Sequence, residues 1–180
     1  MASAFSHAIA SVAIGKLTFL NNTNWKFWLL GIFCAVIPDA DALGFKLGVP
    51  YESFWGHRGF THSFCFAALL ALFVNLALYR EETIYTARWW LLFLFFFLTT
   101  ASHAVLDAMT TGGLGVAFFS PFDNTRYFFP FRPIKVSPIG VGAFFSEWGW
   151  RVIKSEFVWV WIPSFVLIGF AGIMRRLFAR

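Results

Sequence analysis

The sequence predicts an all-α membrane protein: a polytopic bundle of about four to five transmembrane segments forming one domain over residues 1–180. Two observations carry this expectation. Hydrophobic residues reach 59% and aromatics 22%, with a mean hydropathy of +0.69, well beyond the roughly 45–50% apolar content of soluble domains. The apolar residues also fall into runs separated by short polar or charged links, without internal repeats or low-complexity tracts.

Residues 5–20 are apolar apart from Ser6, His7, Ser11 and Lys16. As a helix this segment puts Ser3, His7 and Ser11 on one face. It is marginal for a full crossing, which takes about 20 apolar residues. Asn21, Asn22, Thr23 and Asn24 make a polar break and a turn with a helix N-cap. Residues 25–37 form the second apolar segment, closed by Pro38-Asp39-Ala40-Asp41. Carboxylates at the end of a membrane helix are costly unless paired, metal-bound or wetted. Residues 44–59 read as a loop and residues 64–79 as the third segment, beginning near Phe60. A charged link, residues 80–88, leads to the fourth and clearest segment at 89–111, with Trp89-Trp90 as an interfacial anchor. Its far half carries Thr99, Thr100, Ser102, His103, Asp107, Thr110 and Thr111. Residues 112–156 read as a long Gly- and Pro-bearing loop, a length that usually marks function. Residues 157–174 are the fifth segment, followed by Arg175, Arg176 and Arg180. Cys34 and Cys65 lack CxxC spacing and read as small buried hydrophobes. The N-terminus does not have the pattern of a cleaved signal peptide.

The formal charge of +5 suits anionic lipid. Nucleic acid is an unsuitable partner, because the basic residues are scattered between apolar runs and form no dense stripe. If all five segments span, one side holds Lys16, Lys26, Arg80, Arg88, Arg175, Arg176 and Arg180 against Glu81 and Glu82, whereas basic and acidic residues balance on the other. The excess of Lys and Arg makes the first side cytoplasmic. His7, Asp39, Asp41, His57, His62, His103 and Asp107 then all reach one level at the non-cytoplasmic face.

That level has the chemistry of a metal site. The stretch Gly56-His57-Arg58-Gly59-Phe60-Thr61-His62-Ser63 holds two of the four histidines. His103 and Asp107 share a helical face at i, i+4. Neutral imidazoles and carboxylates suit zinc, manganese or iron. His57 and His62 converge on one ion only if their turn bends, which leaves open which is ligand and which is acid or outer partner. Asp39 and Asp41 either bridge two ions or divide binding from orienting. Arg58 has the planar fork to clamp a phosphate oxygen. Each residue alone is commonplace: an interfacial His usually packs, an Asp caps a turn, an Arg meets headgroups. Their convergence is what points to a shared site.

At these residues, together with Ser6-His7-Ala8 and Thr110-Thr111-Gly112-Gly113, the sequence resembles the YdjM-type family of membrane-bound, metal-dependent hydrolases, and within it the YbcI-like inner-membrane members. The resemblance covers nearly the whole chain and implies a multi-pass bacterial inner-membrane hydrolase. A more distant similarity is to zinc-dependent phospholipase C and its nuclease relatives, where an early His, an Asp, a His and then HxxxD follow in the order of His7, Asp39, His62, His103 and Asp107. Those enzymes add a second late His-containing pair and ligate through the N-terminal residue. Here no histidine follows His103, which limits the expectation to one or two divalent ions, zinc first and manganese next.

The expected function is metal-dependent hydrolysis of a phosphoester in a membrane lipid or a headgroup-proximal substrate. His7, Asp39, His62, His103 and Asp107 are the expected ligands, Asp41 or His57 the acid, base or outer partner, and Arg58 the anion clamp. Arg126, Arg132 and Lys135 could gather an anionic headgroup or form a solvated loop face. Rival readings are a metal or ion transporter, which requires polar residues through the bilayer, and a non-catalytic membrane adaptor, which requires no metal.

Overall fold

The computed structural model describes residues 1–18, 20 and 23–178. Local capping chemistry starts its helices. Ser3 accepts from the Ser6 N–H to open α1 (Ala4–Leu17), and Asn24 accepts from Phe27 to open α2 (Trp25–Val36). Such a side-chain oxygen satisfies one of the four N–H groups that a helix start leaves unpaired. Asn21 and Asn22, part of the expected break, lie outside the described residues. The chain runs from α2 into a 3₁₀ helix, Ile37–Leu47, with Pro38 in its first turn and Gly48 at φ +75° as its stop. Ser63 caps α3 (Phe64–Leu78) and Thr86 caps α4 (Ala87–Ala108).

The expected loop after residue 112 holds more structure than its composition suggests. Val116 and Tyr127 form an isolated antiparallel bridge, and Thr110 and Ile134 a parallel one. A short helix α5 (Val141–Phe144) precedes α6 (Glu147–Glu156), which Ser146 caps. Helix α6 continues through a π-helical turn, Phe157–Trp161, into α7 (Ile162–Phe178). The last segment therefore begins at Glu147, ten residues before its apolar run. No β-strand occurs among the described residues.

Among the described residues, three stretches are long and apolar enough to cross a membrane: Trp25–Leu47, Ala87–Ala108 and Glu147–Phe178. Helices α1 and α3 have 14 and 15 residues, or roughly 21–23 Å at 1.5 Å per residue, short of a hydrocarbon core of about 30 Å. Helix α4 is central and packs on α1, α2 and α3, while α7 packs on α1. Phe27, Leu92, Phe95 and Phe96 are buried between them with Cys34, Ala71 and Val74. Gly31 lets α2 approach closely, because a Cβ there would lie 2.5 Å from the Phe95 ring; small residues play this part at membrane helix contacts. Leu29, Phe33, Leu69, Phe73, Val166 and Phe170 are exposed and make the outer surface apolar. The helix bundle is thus a membrane bundle. Cys34 is buried and Cys65 half-buried, both as free thiols.

Charged residues collect at the end where α1 and α7 stop and α2 and α4 start. Lys26 donates to the Leu78 carbonyl, the Arg88 Nε lies 2.6 Å from Glu82, and Arg175 donates to the Lys16 carbonyl.

Candidate metal centre

The opposite end of the bundle holds the histidines and aspartates. Helix α4 presents His103 and Asp107 one turn apart, both fully buried. The first turn of the 3₁₀ helix brings in Asp39, and a single 3₁₀ turn, Phe60–His62, brings in His62. One ligand atom from each of Asp39, His62, His103 and Asp107 falls within a 4.8 Å group. The His103 Nε2 is 3.1 Å from the His62 Nε2 and 3.3 Å from the Asp39 Oδ1. The His62 Nε2 is 3.8 Å from the Asp39 Oδ1 and 3.7 Å from the Asp107 Oδ2. Tetrahedral ligands at zinc–nitrogen distances of 2.0–2.1 Å stand about 3.3–3.4 Å apart. The four separations given, 3.1–3.8 Å, lie around that value.

The tautomers sharpen the point. The His103 Nδ1 lies 2.7 Å from the Ala35 carbonyl, which can only accept, so this nitrogen carries the proton. The His62 Nδ1 lies 3.1 Å from the Asp41 carboxylate and is a donor by the same logic. Both Nε2 atoms of the neutral rings then point lone pairs at each other and at two carboxylates. The Asp39 Oδ1 and Asp107 Oδ2 are buried against these imidazoles, and the Asp107 Oδ2 also pairs with the Arg58 Nε at 3.0 Å. Two facing imidazole lone pairs and two anionic oxygens repel unless a cation or a proton sits among them. The residues fit a divalent ion, and the carbonyl and carboxylate behind the two imidazoles are the outer partners that metal-bound histidines use.

Asp41 organises the turn behind this set. Its Oδ1 lies 2.6 Å from the His57 Nδ1; its Oδ2 accepts from the Thr61 hydroxyl at 2.6 Å and the Arg58 N–H at 3.1 Å. Asp41, His57 and His62 also place ligand atoms within 4.8 Å of one another, and these contacts are satisfied mutually. His57 and His62 do not share the four-atom set; they are joined through Asp41. The turn is tight. A Cβ at Gly56 would lie 2.2 Å from the Tyr51 carbonyl oxygen, and one at Gly59 would lie 2.3 Å from that of Phe54. Arg58 between them adopts φ +63°, a left-handed conformation unusual outside glycine.

That conformation sends Arg58 inward. Its guanidinium is fully buried, with Nε 3.0 Å from the Asp107 Oδ2, one terminal nitrogen donating to the Gly112 carbonyl at 2.8 Å and the other to the Thr110 hydroxyl at 3.0 Å. Arg58 was expected to clamp a substrate anion; its geometry is that of a group holding Asp107. His7 stands beside the set. Its ring stacks on His103 with centroids 3.7 Å apart, its Nε2 lies 3.6 Å from the Asp107 Oδ1, and neither ring nitrogen has a hydrogen-bond partner.

Beside the site, Glu156 had no functional signal in the sequence, while the three basic loop residues considered for headgroup binding take different places. Glu156, fully buried on α6, accepts from the Ser3 N–H and hydroxyl, each at 2.5 Å, and from the Ser6 hydroxyl at 2.8 Å. It ties α1 down while the Ala2 N–H donates to the Asp107 Oδ1 at 2.6 Å. Arg126 donates to the His57 carbonyl at 2.8 Å and the Tyr51 carbonyl at 2.9 Å, so it fastens the loop to the turn. Burial lowers its pKa and raises that of Tyr51. Arg132 stacks over Phe128, and Lys135 is solvent-exposed. Burial alone would lower the His62 pKa, but its hydrogen bonds to Asp39 and Asp41 outweigh this and raise it to about 9.

Over residues 1–178 the chain matches the family described as YdjM inner membrane protein. It is 38% identical over 179 residues to "Inner membrane protein YbcI" from Escherichia coli (strain K12), an alignment that covers 98% of this chain and 100% of the relative. No solved structure matches. A bundle of apolar helices and a family match across its length lead to one assignment: the chain belongs to the YdjM family of inner membrane proteins.

Proposed function

We propose that the protein is a metal-dependent hydrolase that cleaves an ester, in first place a phosphoester, of a lipid or a headgroup-proximal substrate. The observation that supports it best is the pair of imidazole Nε2 atoms 3.1 Å apart, facing the buried carboxylate oxygens of Asp39 and Asp107 at 3.3–3.8 Å. Asp39, His62, His103 and Asp107 would hold one divalent ion. Zinc fits a nitrogen and oxygen set of this size best, with manganese next. Such an ion supplies Lewis acidity toward water and toward the ester oxygen.

The chain's own residues have distinct parts in this reading. Arg58 fixes one Asp107 oxygen and neutralises its charge, and the Ala2 N–H fixes the other. Asp41 sets the tautomer of both His57 and His62. With its Nδ1 proton held by Asp41, His57 keeps Nε2 as a base that can take a proton from water and return it to the leaving group. Asp41 and His57 therefore serve proton transfer and orientation, and a second ion is not required.

A transport reading has less support. Asn75, a polar residue deep in α3, is buried and donates to the Trp89 carbonyl at 2.9 Å, so it packs two helices together instead of lining a path.

Metal analysis of purified wild-type protein beside His103→Ala and Asp39→Ala tests the proposal. The expected result is about one equivalent of zinc in the wild type and loss in both variants, with phosphoesterase activity following the metal. Reconstituted wild type without stoichiometric metal would overturn it.

A further inference from the structure

The centre is sealed on most sides. The side chains of His62, His103 and Asp107 are fully buried, whereas Asp39 is 10% exposed. The exposed part of Asp39 lies in the wall of a groove of about 350 Å³ between the start of α1, the end of α2 and the segment around α5. The other walls are mostly apolar, chiefly Phe5, Val36, Phe144 and Phe145, with Met1, Ser3 and Ser137 also in the lining. Phe5 and Phe144 approach to 6.0 Å between ring centroids and close one side. Other apolar grooves, against Phe118 and Phe119 and between α1 and α7, contain no member of the ligand set.

We propose that this groove seats the hydrocarbon chain of the substrate, so that the scissile ester belongs to an amphiphile that enters from the membrane with its polar end at Asp39. This rests on the hydrolase reading above and narrows its substrate class. Water-soluble phosphoesters have nothing to gain from these walls, because a charged group among Phe5, Phe144 and Phe145 loses hydration without a partner. A hydrocarbon chain fits the same walls without that loss. The position of Asp39 at one end of the groove sets which part of the amphiphile meets the ion.

The test uses full-length protein in nanodiscs loaded with cobalt(II), whose visible spectrum reports a ligand arriving at the metal. Methylphosphonate and dodecylphosphonate, both inert to hydrolysis, are titrated in parallel. Burial of even two methylenes is worth about tenfold, so dodecylphosphonate is expected to act at a concentration at least about tenfold lower. Ala4→Trp, at an exposed position lining the groove, is expected to take up cobalt normally and to bring the two midpoints within about twofold. Phe145→Ala, also exposed, removes one wall and should reduce the preference in the same direction. Equal midpoints in the wild type would overturn the proposal. So would a preference unchanged in both variants, which would reflect partition into the bilayer alone. Failure of the wild type to take up cobalt would overturn the metal reading itself, a result distinct from either.

Discussion

At the residue scale, the centre is governed by which atoms can carry protons. Without a metal, the facing Nε2 atoms of His62 and His103 are reconciled by a proton, and His62, just before α3, has its pKa raised to about 9. Its contribution to stability is then fully present below its ordinary value near 6.5 and is lost as pH rises through about 9. An ion must expel that proton in order to bind. Calorimetric titration of zinc at pH 7 in two buffers of different ionisation enthalpy should show about one proton released per ion, with release vanishing well above pH 9. Equal heats in both buffers at pH 7 would mean that His62 is not displaced from a protonated state. The cluster was legible in the sequence because His103, Asp107 and Asp39 are polar residues in apolar runs, which demand a reason. The placement of Arg58 was not legible, because a phosphate clamp and a buried partner of Asp107 have the same letter. Only the left-handed backbone at Arg58 decides which way the guanidinium points.

At the element scale, the turn around residues 56–59 is where sequence and geometry are most tightly joined. Gly56 and Gly59 are needed because backbone carbonyls occupy the space of a side chain, and backbone cannot move aside as a ring can. Gly56→Ala is expected to leave helical circular dichroism intact, to cost about 1–3 kcal/mol of stability and to abolish metal retention, since His57, Arg58 and His62 all depend on this turn. Gly169→Ala, whose added methyl meets nothing within 4 Å, serves as the control and should keep its metal. Metal retained by Gly56→Ala would show that the turn does not set the site. The start of α2 was readable from the polar break that supplies Asn24 as its cap, and the structure adds Ser3, Ser63 and Thr86 as caps of α1, α3 and α4. Two elements were not readable. The 3₁₀ helix Ile37–Leu47 was hidden because Pro38-Asp39-Ala40-Asp41 read as the close of the second segment and residues 44–59 as a loop. Helix α6 was hidden because its buried side is small, Gly149 and Val152, while Trp148 and Trp150 are exposed and blur the period.

At the scale of the whole molecule, the two ends of the bundle differ in kind. One holds Lys16, Lys26, Arg88 and Arg175 around the helix ends; the other holds the histidine and aspartate cluster, covered by the segment after residue 112. Lys and Arg in short loops remain on the cytoplasmic side because moving them across is disfavoured. The metal centre is therefore expected to face away from the cytoplasm, and a substrate to come from the outer leaflet of the inner membrane. Ser53 lies in the loop before the Gly56 turn, its hydroxyl bonded only locally to the Pro50 carbonyl. In a Cys65→Ala background, Ser53→Cys should react with a membrane-impermeant maleimide in spheroplasts, and Glu81→Cys should react only after permeabilisation. The half-buried first and third helices make this test informative. Although α1 and α3 are short for a crossing, α1 packs on α2, α4 and α7 and α3 packs on α4, and the bundle can carry them across without their being independent spans. If Ser53→Cys labels only after permeabilisation while Glu81→Cys labels in intact spheroplasts, the bundle is inverted, the centre opens to the cytoplasmic leaflet, and substrates must be sought among the amphiphiles of that side.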